Sequence, residues 1–315
     1  MTKLKIIFFG SPYYSIPLLQ KIISLGHEVP LVISQGAKQN RRGKLLHTSV
    51  YEFCKKNNIQ CITPLSLEDS TLLESIVKDI DLGFIYAYGK LIPSKITKLF
   101  KFGIMNLHCS LLPNYRGAAP VQHAIMNDEK KTGITFFKIN ERLDDGKIIL
   151  KKDYKIKDSD DCMSLQDNLT KIALQNCDEA INLMYCQKFI QSFSGQKNVY
   201  ARKISKEDGI LDLKMSVRTM FNRIRALNIW PIARLKLYDQ QIKILKANCT
   251  IAEHEFIPGQ VIEFNKNELV IAAVDGYLSI EVLQLEGKKA ISSRDLFNSN
   301  VNLKEKLINA KVNIE

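Results

Sequence analysis

Residues 4–10, LKIIFFG, form a continuous apolar run that stops at glycine, the pattern of a strand buried on both faces. LLQKIISLG then carries helical spacing to a stop at Gly26, with Ser15 placed to cap the helix and Pro17 in its first turn. The alternation continues. EVPLVIS (28–34) reads as a strand, 49–57 as a helix, QCITP as a short strand and 68–78 as a helix. The strand DLGFIYA, the strand GIMNLHC (103–109) and the helix AAPVQHAIM follow, then the strands GITFFKI and KIILKKDYKI and a long helix over 163–186. Strand alternating with helix predicts an α/β fold, a doubly wound, mostly parallel sheet with its sites at the carboxyl ends of the strands. One segment breaks the pattern: QGAKQNRRGKLL (35–46) is polar, basic and aperiodic, a mobile loop.

Beyond a polar segment near 187–208 the period changes. After a helix near 215–227, the segments ARLKLYD, QIKILKA, GQVIEF, ELVIAAV and YLSIEVLQL are short and turn-bounded, as in a small OB-like β-barrel. The expected organisation is a first domain over 1–188, a linker over 189–208 and a second domain over 209–315. Trp230, the only tryptophan, lies between apolar neighbours and a proline and reads as packed.

Composition removes several classes of function. No apolar run approaches the ~20 residues that span a bilayer. MTKLKIIFFGS lacks a small-residue cleavage site and reads as a strand rather than a signal peptide. Seven cysteines show no CxxC and no Cys/His cluster, which predicts reduced thiols in a cytoplasm and no metal. GSPYYS after the first strand is not GxGxxG, so a dinucleotide fingerprint is absent. The net charge is +12; residues 1–204 carry +10 (29 basic, 19 acidic) and 205–315 carry +2 (16 basic, 14 acidic). Such a surface attracts polyanions, nucleic acid among them, although lysine is abundant throughout the chain.

The candidate chemistry sits at one strand end. In GIMNLHC, Asn106 and His108 share a side because side chains alternate, and Ile104 on that side is apolar, so only the carboxyl end turns polar. His27, His47 and His254 read as structural. The turn LDDGK offers two carboxylates, Asp144 and Asp145; turn chemistry accounts for such residues, and for Asp145 that reading is preferred.

FFGSPYYSIPLL, AYGKLIP, NLHCSLLPNYRGAAPVQHAI, TGITFFKI and LDDG, in that order and spacing, resemble the 10-formyltetrahydrofolate-dependent formyltransferases. The order N-x-H, SLLP, LD-x-G is highly specific to that family. SLLPNYRGAAP, RRGKLL, RIRALNIWP, DGYLSIEVLQLEGKKAIS and RDLFN are similar to its branch acting on initiator methionyl-tRNA, and the likeness runs over nearly the whole chain. The resemblance implies a folate-binding doubly wound domain and an OB-like domain that contacts tRNA. It places Asn106, His108 and Asp144 in the catalytic trio, and it alone selects Asp144 over Asp145. It implies Ser110, Leu111, Leu112 and Pro113 as the folate-contacting loop, with Tyr88 of AYGKLIP in a second wall of that pocket. Lys38, Arg41, Arg42 and Lys44 would grip the tRNA acceptor stem. The formyl donor would be 10-formyltetrahydrofolate, with no metal, and the chain is expected to be a cytoplasmic monomer.

The implied chemistry suits these residue types. An amine attacking a formyl carbon creates a tetrahedral oxyanion, which an amide donor and a protonated imidazole can stabilise. An α-amino group with a pKa near ~8 already has a neutral fraction at physiological pH, so no strong base is needed. Two departures from the family pattern stand out. GAKQN replaces the prolines expected in the basic loop, and Arg142 replaces a glycine before LD-x-G, which predicts a different backbone in that turn. Rival readings are a formyltransferase for a sugar nucleotide or glycinamide ribonucleotide, a hydrolase that releases formate, and a non-catalytic RNA-binding protein.

Overall fold

The computed structural model describes residues 2–40, 43–67, 79–190, 199–237, 240–299, 305 and 307. The helix expected over 68–78 lies outside the described residues, as do Arg41 and Arg42. The chain divides into two compact units: 1–120, 131–155 and 166–202 form the first, and 121–130, 156–165 and 203–315 the second.

In the first unit the apolar runs become strands β1 (Lys5–Gly10), β2 (Glu28–Ile33), β5 (Cys61–Ile62), β6 (Leu82–Tyr86) and β7 (Ile104–His108), joined in parallel in the order β7-β6-β1-β2-β5. Chain direction explains that order. From β1 the chain builds outward through β2 to β5, then returns to the other side of β1 for β6 and β7, which makes a switch point at the carboxyl ends of β1 and β6. Alternation along β1 sends Phe8 to one face, against Phe84, and Phe9 to the other, against Tyr88 and Phe100. The faces carry α1 (Ile16–Ser24), α2 (Ser49–Lys56), the single turn α3 (Ser94–Thr97) and most of α5 (Cys162–Tyr185), whereas α4 (Pro120–Met126) falls almost wholly in the second unit. Ser15 does not cap α1: its backbone is already helical and its hydroxyl donates to the Tyr86 carbonyl. Buried His27 is structural, its Nδ1 accepting from the Leu4 amide, and burial lowers its pKa.

The expected loop at 35–46 contains order. β3 (Lys38–Gln39) pairs antiparallel with β4 (Leu45–Leu46), the Asn40 amide donates to the Lys44 carbonyl, and the Asn40 side chain accepts from the Lys44 amide. Asparagine and glycine at positions 40 and 43 are turn formers. Without prolines, every backbone N–H there can join the ladder. The last two strands, β9 (Lys131–Arg142) and β10 (Asp145–Lys155), form an antiparallel hairpin on β7, longer than the apolar patterns suggested. A minor sheet joins β8 (Arg116–Gly117) to β11 (Tyr200–Ala201).

The second unit is an antiparallel sheet of β12 (Ala233–Leu237), β13 (Gln240–Ile251), β14 (Val261–Phe264), β15 (Leu269–Ala273), β16 (Gly276–Leu285) and β17 (Ala290–Ser292), ordered β12-β13-β16-β15-β14 with β17 on β16. Its inward residues, among them Leu235, Ile242, Ile271 and Ile280, pack against Val217, Met220 and Ile224 of α6 (Val217–Ala226) and Leu296 of α7 (Ser293–Phe297). Segments 121–130 and 156–165 belong to this unit for an electrostatic reason. Arg218 binds Asp128 and Asp158, and Arg225 donates to the carbonyls of Lys157 and Asp160. Burial would raise the Asp128 pKa, yet hydrogen bonds from Arg218, Lys130 and Asn222 hold it well below the usual carboxylate range. Trp230 is not packed as expected but 49% exposed, in the turn after α6 where Ile229 is exposed too.

Candidate active site

Along β7, Ile104 is sunk in the core with Ile7, Phe9 and Ile33, whereas Asn106 two residues on is half-buried and His108 ends the strand. Same-side residues on a strand lie about 6.6 Å apart, so the amide and the imidazole present to one region. His108 is held at both ring nitrogens. Nε2 lies 2.8 Å from the Tyr115 carbonyl, which can only accept, so Nε2 carries a proton. Nδ1 faces the Asp144 carboxylate at 3.7 Å, within ion-pair range and beyond a tight hydrogen bond, and both side chains are over nine-tenths buried.

Asp144 reaches this position because the β9–β10 hairpin does not stay flat. β9 pairs with β7 from Thr135 opposite His108 to Lys138 opposite Met105, and the β10 ladder is irregular at Asp145/Lys147 and at Ile148/Leu150. Asp144 takes φ +45, an uncommon conformation for a residue other than glycine, asparagine or aspartate. Arg142 closes β9, and the left-handed position falls on Asp144, whose short polar side chain tolerates it.

One short segment touches both the imidazole and the hairpin carboxylates. The Tyr115 carbonyl holds the imidazole, the Arg116 guanidinium meets Asp145 at 3.0 Å, and the Gly117 amide donates to Asp144 Oδ2 at 2.8 Å. Asp145 is therefore more than a turn former: it is buried and ion-paired. Sequence reading missed Tyr115, Arg116 and Asp145 as site components. A carboxylate entering a largely buried strand was the available signal, because such a charge needs a partner. The segment is braced from β11: the Tyr115 amide donates to the Val199 carbonyl, and the Ala118 and Ala119 amides to that of Ala201. A Cβ on Gly117, at φ +119, would stand 2.5 Å from the Ala201 oxygen, so only glycine fits.

The SLLP loop that follows β7 is tied to the hairpin. Thr135 Oγ1 donates to the Ser110 carbonyl and accepts from the Leu112 amide, Ser110 Oγ donates to the Asn114 carbonyl, and Lys151 Nζ donates to the Leu112 carbonyl. Burial lowers the Lys151 pKa. Leu112 is fully buried against Phe137 and Ile148, so its side chain shapes the loop from beneath, while Leu111 and Pro113 stay half-buried. Half-buried Ile139 packs against Leu112, Phe137 and Ile148, and half-buried Ile92 against the cluster that holds Ile7, Phe9 and Tyr88.

Tyr88 does not line a wall. It is 1% exposed and packs edge-on against Phe9, and burial pushes its pKa up to about 12. The apolar cluster under β1 claims the ring, and only the backbone serves the strand ends, its carbonyl accepting from Ser11 and Gln35. Lys38 and Lys44 stand exposed on the small hairpin. Among the described residues no group of histidine, cysteine or acidic side chains could hold a metal ion.

Comparison with known proteins agrees with this anatomy. The formyl transferase family model matches residues 4–181, and the model of the formyl transferase C-terminal domain matches 203–301. A methionyl-tRNA formyltransferase of Thermodesulfovibrio yellowstonii is 35% identical over 298 residues, 93% of this chain and 95% of that protein. One from Coxiella burnetii is 33% identical over 300 residues, 94% of this chain and 96% of its own. Among solved structures, the sugar 3N-formyl transferase WlaRD, crystallised with dTDP and 5-N-formyl-THF, has the same fold, with TM-score 0.66 and 24% identity over 92% of this chain and all of that one. HypX from Aquifex aeolicus in complex with tetrahydrofolic acid also shares it, with TM-score 0.65 and 16% identity over 94% of this chain, which spans about half of HypX (47%). With both of the family's domains matched in order along its length, the chain belongs to the formyl transferases.

Proposed function

We propose that the chain transfers the formyl group of 10-formyltetrahydrofolate to the free amino group of initiator methionyl-tRNA, the step that prepares the tRNA for translation initiation. The observation that carries this reading is the placement of His108 Nδ1 3.7 Å from Asp144 at a strand end that also presents Asn106. The acceptor assignment draws on full-length relatives that carry that name at 33–35% identity.

In this reading the Asn106 amide N–H and a protonated His108 stabilise the oxygen of the tetrahedral intermediate, and Asp144 supplies the counter-charge. Nε2–H is committed to Tyr115, so Nδ1–H is the charged donor offered to the formyl oxygen; at 3.7 Å it is not locked to the carboxylate. The amine attacks in its neutral form and loses its proton to a carboxylate or water as the carbon–nitrogen bond forms; the bond from the formyl carbon to the folate nitrogen then breaks, and that nitrogen takes a proton from His108 or water and leaves as tetrahydrofolate. Ser110, Leu111, Leu112 and Pro113 shape the folate edge. Lys38, Arg41, Arg42 and Lys44 form the tRNA grip. Residues 1–188 serve as catalytic domain, 189–208 as linker and 209–315 as tRNA-contacting domain. The chain works as a cytoplasmic monomer. Its cysteines are free thiols, as in a reducing compartment, and no helix among the described residues is long and apolar enough to cross a membrane.

The test is a comparison of acceptors. With 10-formyltetrahydrofolate as donor, charged initiator tRNA is expected to be formylated far faster than charged elongator tRNA, an amino-sugar nucleotide or glycinamide ribonucleotide. Preference for a small amine, or formate release without an acceptor, would overturn the assignment.

A further inference from the structure

We propose that the Arg116–Asp145 ion pair is the positioning element that fixes Asp144 against His108, which makes both residues determinants of turnover. The inference rests on the formyl-transfer reading and assigns roles to two side chains outside its trio.

Asp144 occupies a left-handed conformation that costs on the order of 1 kcal/mol, so its surroundings must impose it. Two anchors are present. The Gly117 amide takes Oδ2 of Asp144, and Arg116, the residue before Gly117, takes the carboxylate of Asp145, the residue after Asp144. Two consecutive residues of β8 thus hold two consecutive residues of the hairpin. The residue before them, Tyr115, fixes the imidazole through its carbonyl. The histidine and the carboxylate are therefore registered on one three-residue ruler. The Asp145 side chain is 8% exposed and that of Arg116 is 19% exposed. A buried pair of this kind fixes geometry at little net gain in stability, whereas loss of one partner strands the other charge. Arg142, the other cation near Asp145, is 3.9 Å away and 77% exposed, so it cannot replace Arg116 as an anchor.

The experiment uses the full chain with Arg116→Ala, Arg116→Lys and Asp145→Ala. The last leaves Arg116, the more exposed partner, without its carboxylate instead of stranding the more deeply buried Asp145. Single-turnover formylation is measured together with KM for charged tRNA and the His108 imidazole resonances. Arg116→Ala and Asp145→Ala are expected to slow transfer about 10–100-fold, the scale of a displacement near 1 Å, with KM changed less than about twofold. Arg116→Lys should recover most of the rate. The His108 resonances in the two alanine variants should move toward those of Asp144→Asn. Transfer within about twofold of wild type in Asp145→Ala would overturn the proposal, as would losses with unmoved His108 resonances or losses that lysine does not relieve. Failure of the wild type to formylate tRNA would count against the acceptor assignment instead, since the resonance shift needs no acceptor.

Discussion

At the scale of single residues the proposed site gives two polar groups a shared aim, from a half-buried Asn106 and a His108 side chain that is 7% exposed. Asn106 is the simplest case. Its amide shares a strand side with His108, and removing an oxyanion donor costs about 10²–10³-fold in rate. Asn106→Ala is therefore expected to reduce kcat by about that factor with KM for tRNA nearly constant, as steady-state kinetics would show. An unchanged kcat would remove the residue from the chemistry. Much of this was legible in the sequence: a strand whose carboxyl end turns polar announces a site without any partner structure. The partner of His108 was not legible, because Asp144 and Asp145 are adjacent and chemically identical. What separates them is backbone geometry. One turns toward the imidazole at φ +45, and the other enters β10 and meets Arg116. The direction of the Tyr88 ring was not legible either, since nothing local says whether an aromatic after a strand faces a cleft or, as here, the core.

At the scale of elements, the strands of the doubly wound sheet were readable because a run such as IIFF has to be buried on both faces. The two-residue strands β3, β4, β8 and β11 were not, since so short a pairing has no hydrophobic period and exists only through its partner. That partner matters for β8. Gly117 lies against the Ala201 carbonyl and donates to Asp144, so a methyl group there pushes on the backbone that holds the carboxylate. Gly117→Ala is expected to slow single-turnover transfer by about tenfold or more, although residue 117 carries no side-chain chemistry. A normal rate in that variant would show that β11 and β8 do not set the position of Asp144.

At the scale of the whole molecule the charge distribution puts capture in the same part of the chain as the proposed chemistry. The first 204 residues hold a surplus of ten positive charges against two in the rest, so long-range attraction for a polyanion belongs mainly to the first part. Arg42→Ala is expected to weaken tRNA use and to reduce the slope of log affinity against log salt by about 1, the contribution of one phosphate contact. A salt titration with an unchanged slope would leave the basic segment idle. Charge was readable from composition; the division of 121–130 and 156–165 between the units was not, because it depends on Arg218 and Arg225 finding partners far away in the chain.

The most direct test of the account is a double-mutant cycle on His108 and Asp144, read as single-turnover transfer from 10-formyltetrahydrofolate to charged initiator tRNA. If the carboxylate acts through the imidazole, His108→Ala combined with Asp144→Asn will be no slower than His108→Ala alone. Losses that multiply would mean that the two side chains act separately, which would contradict it.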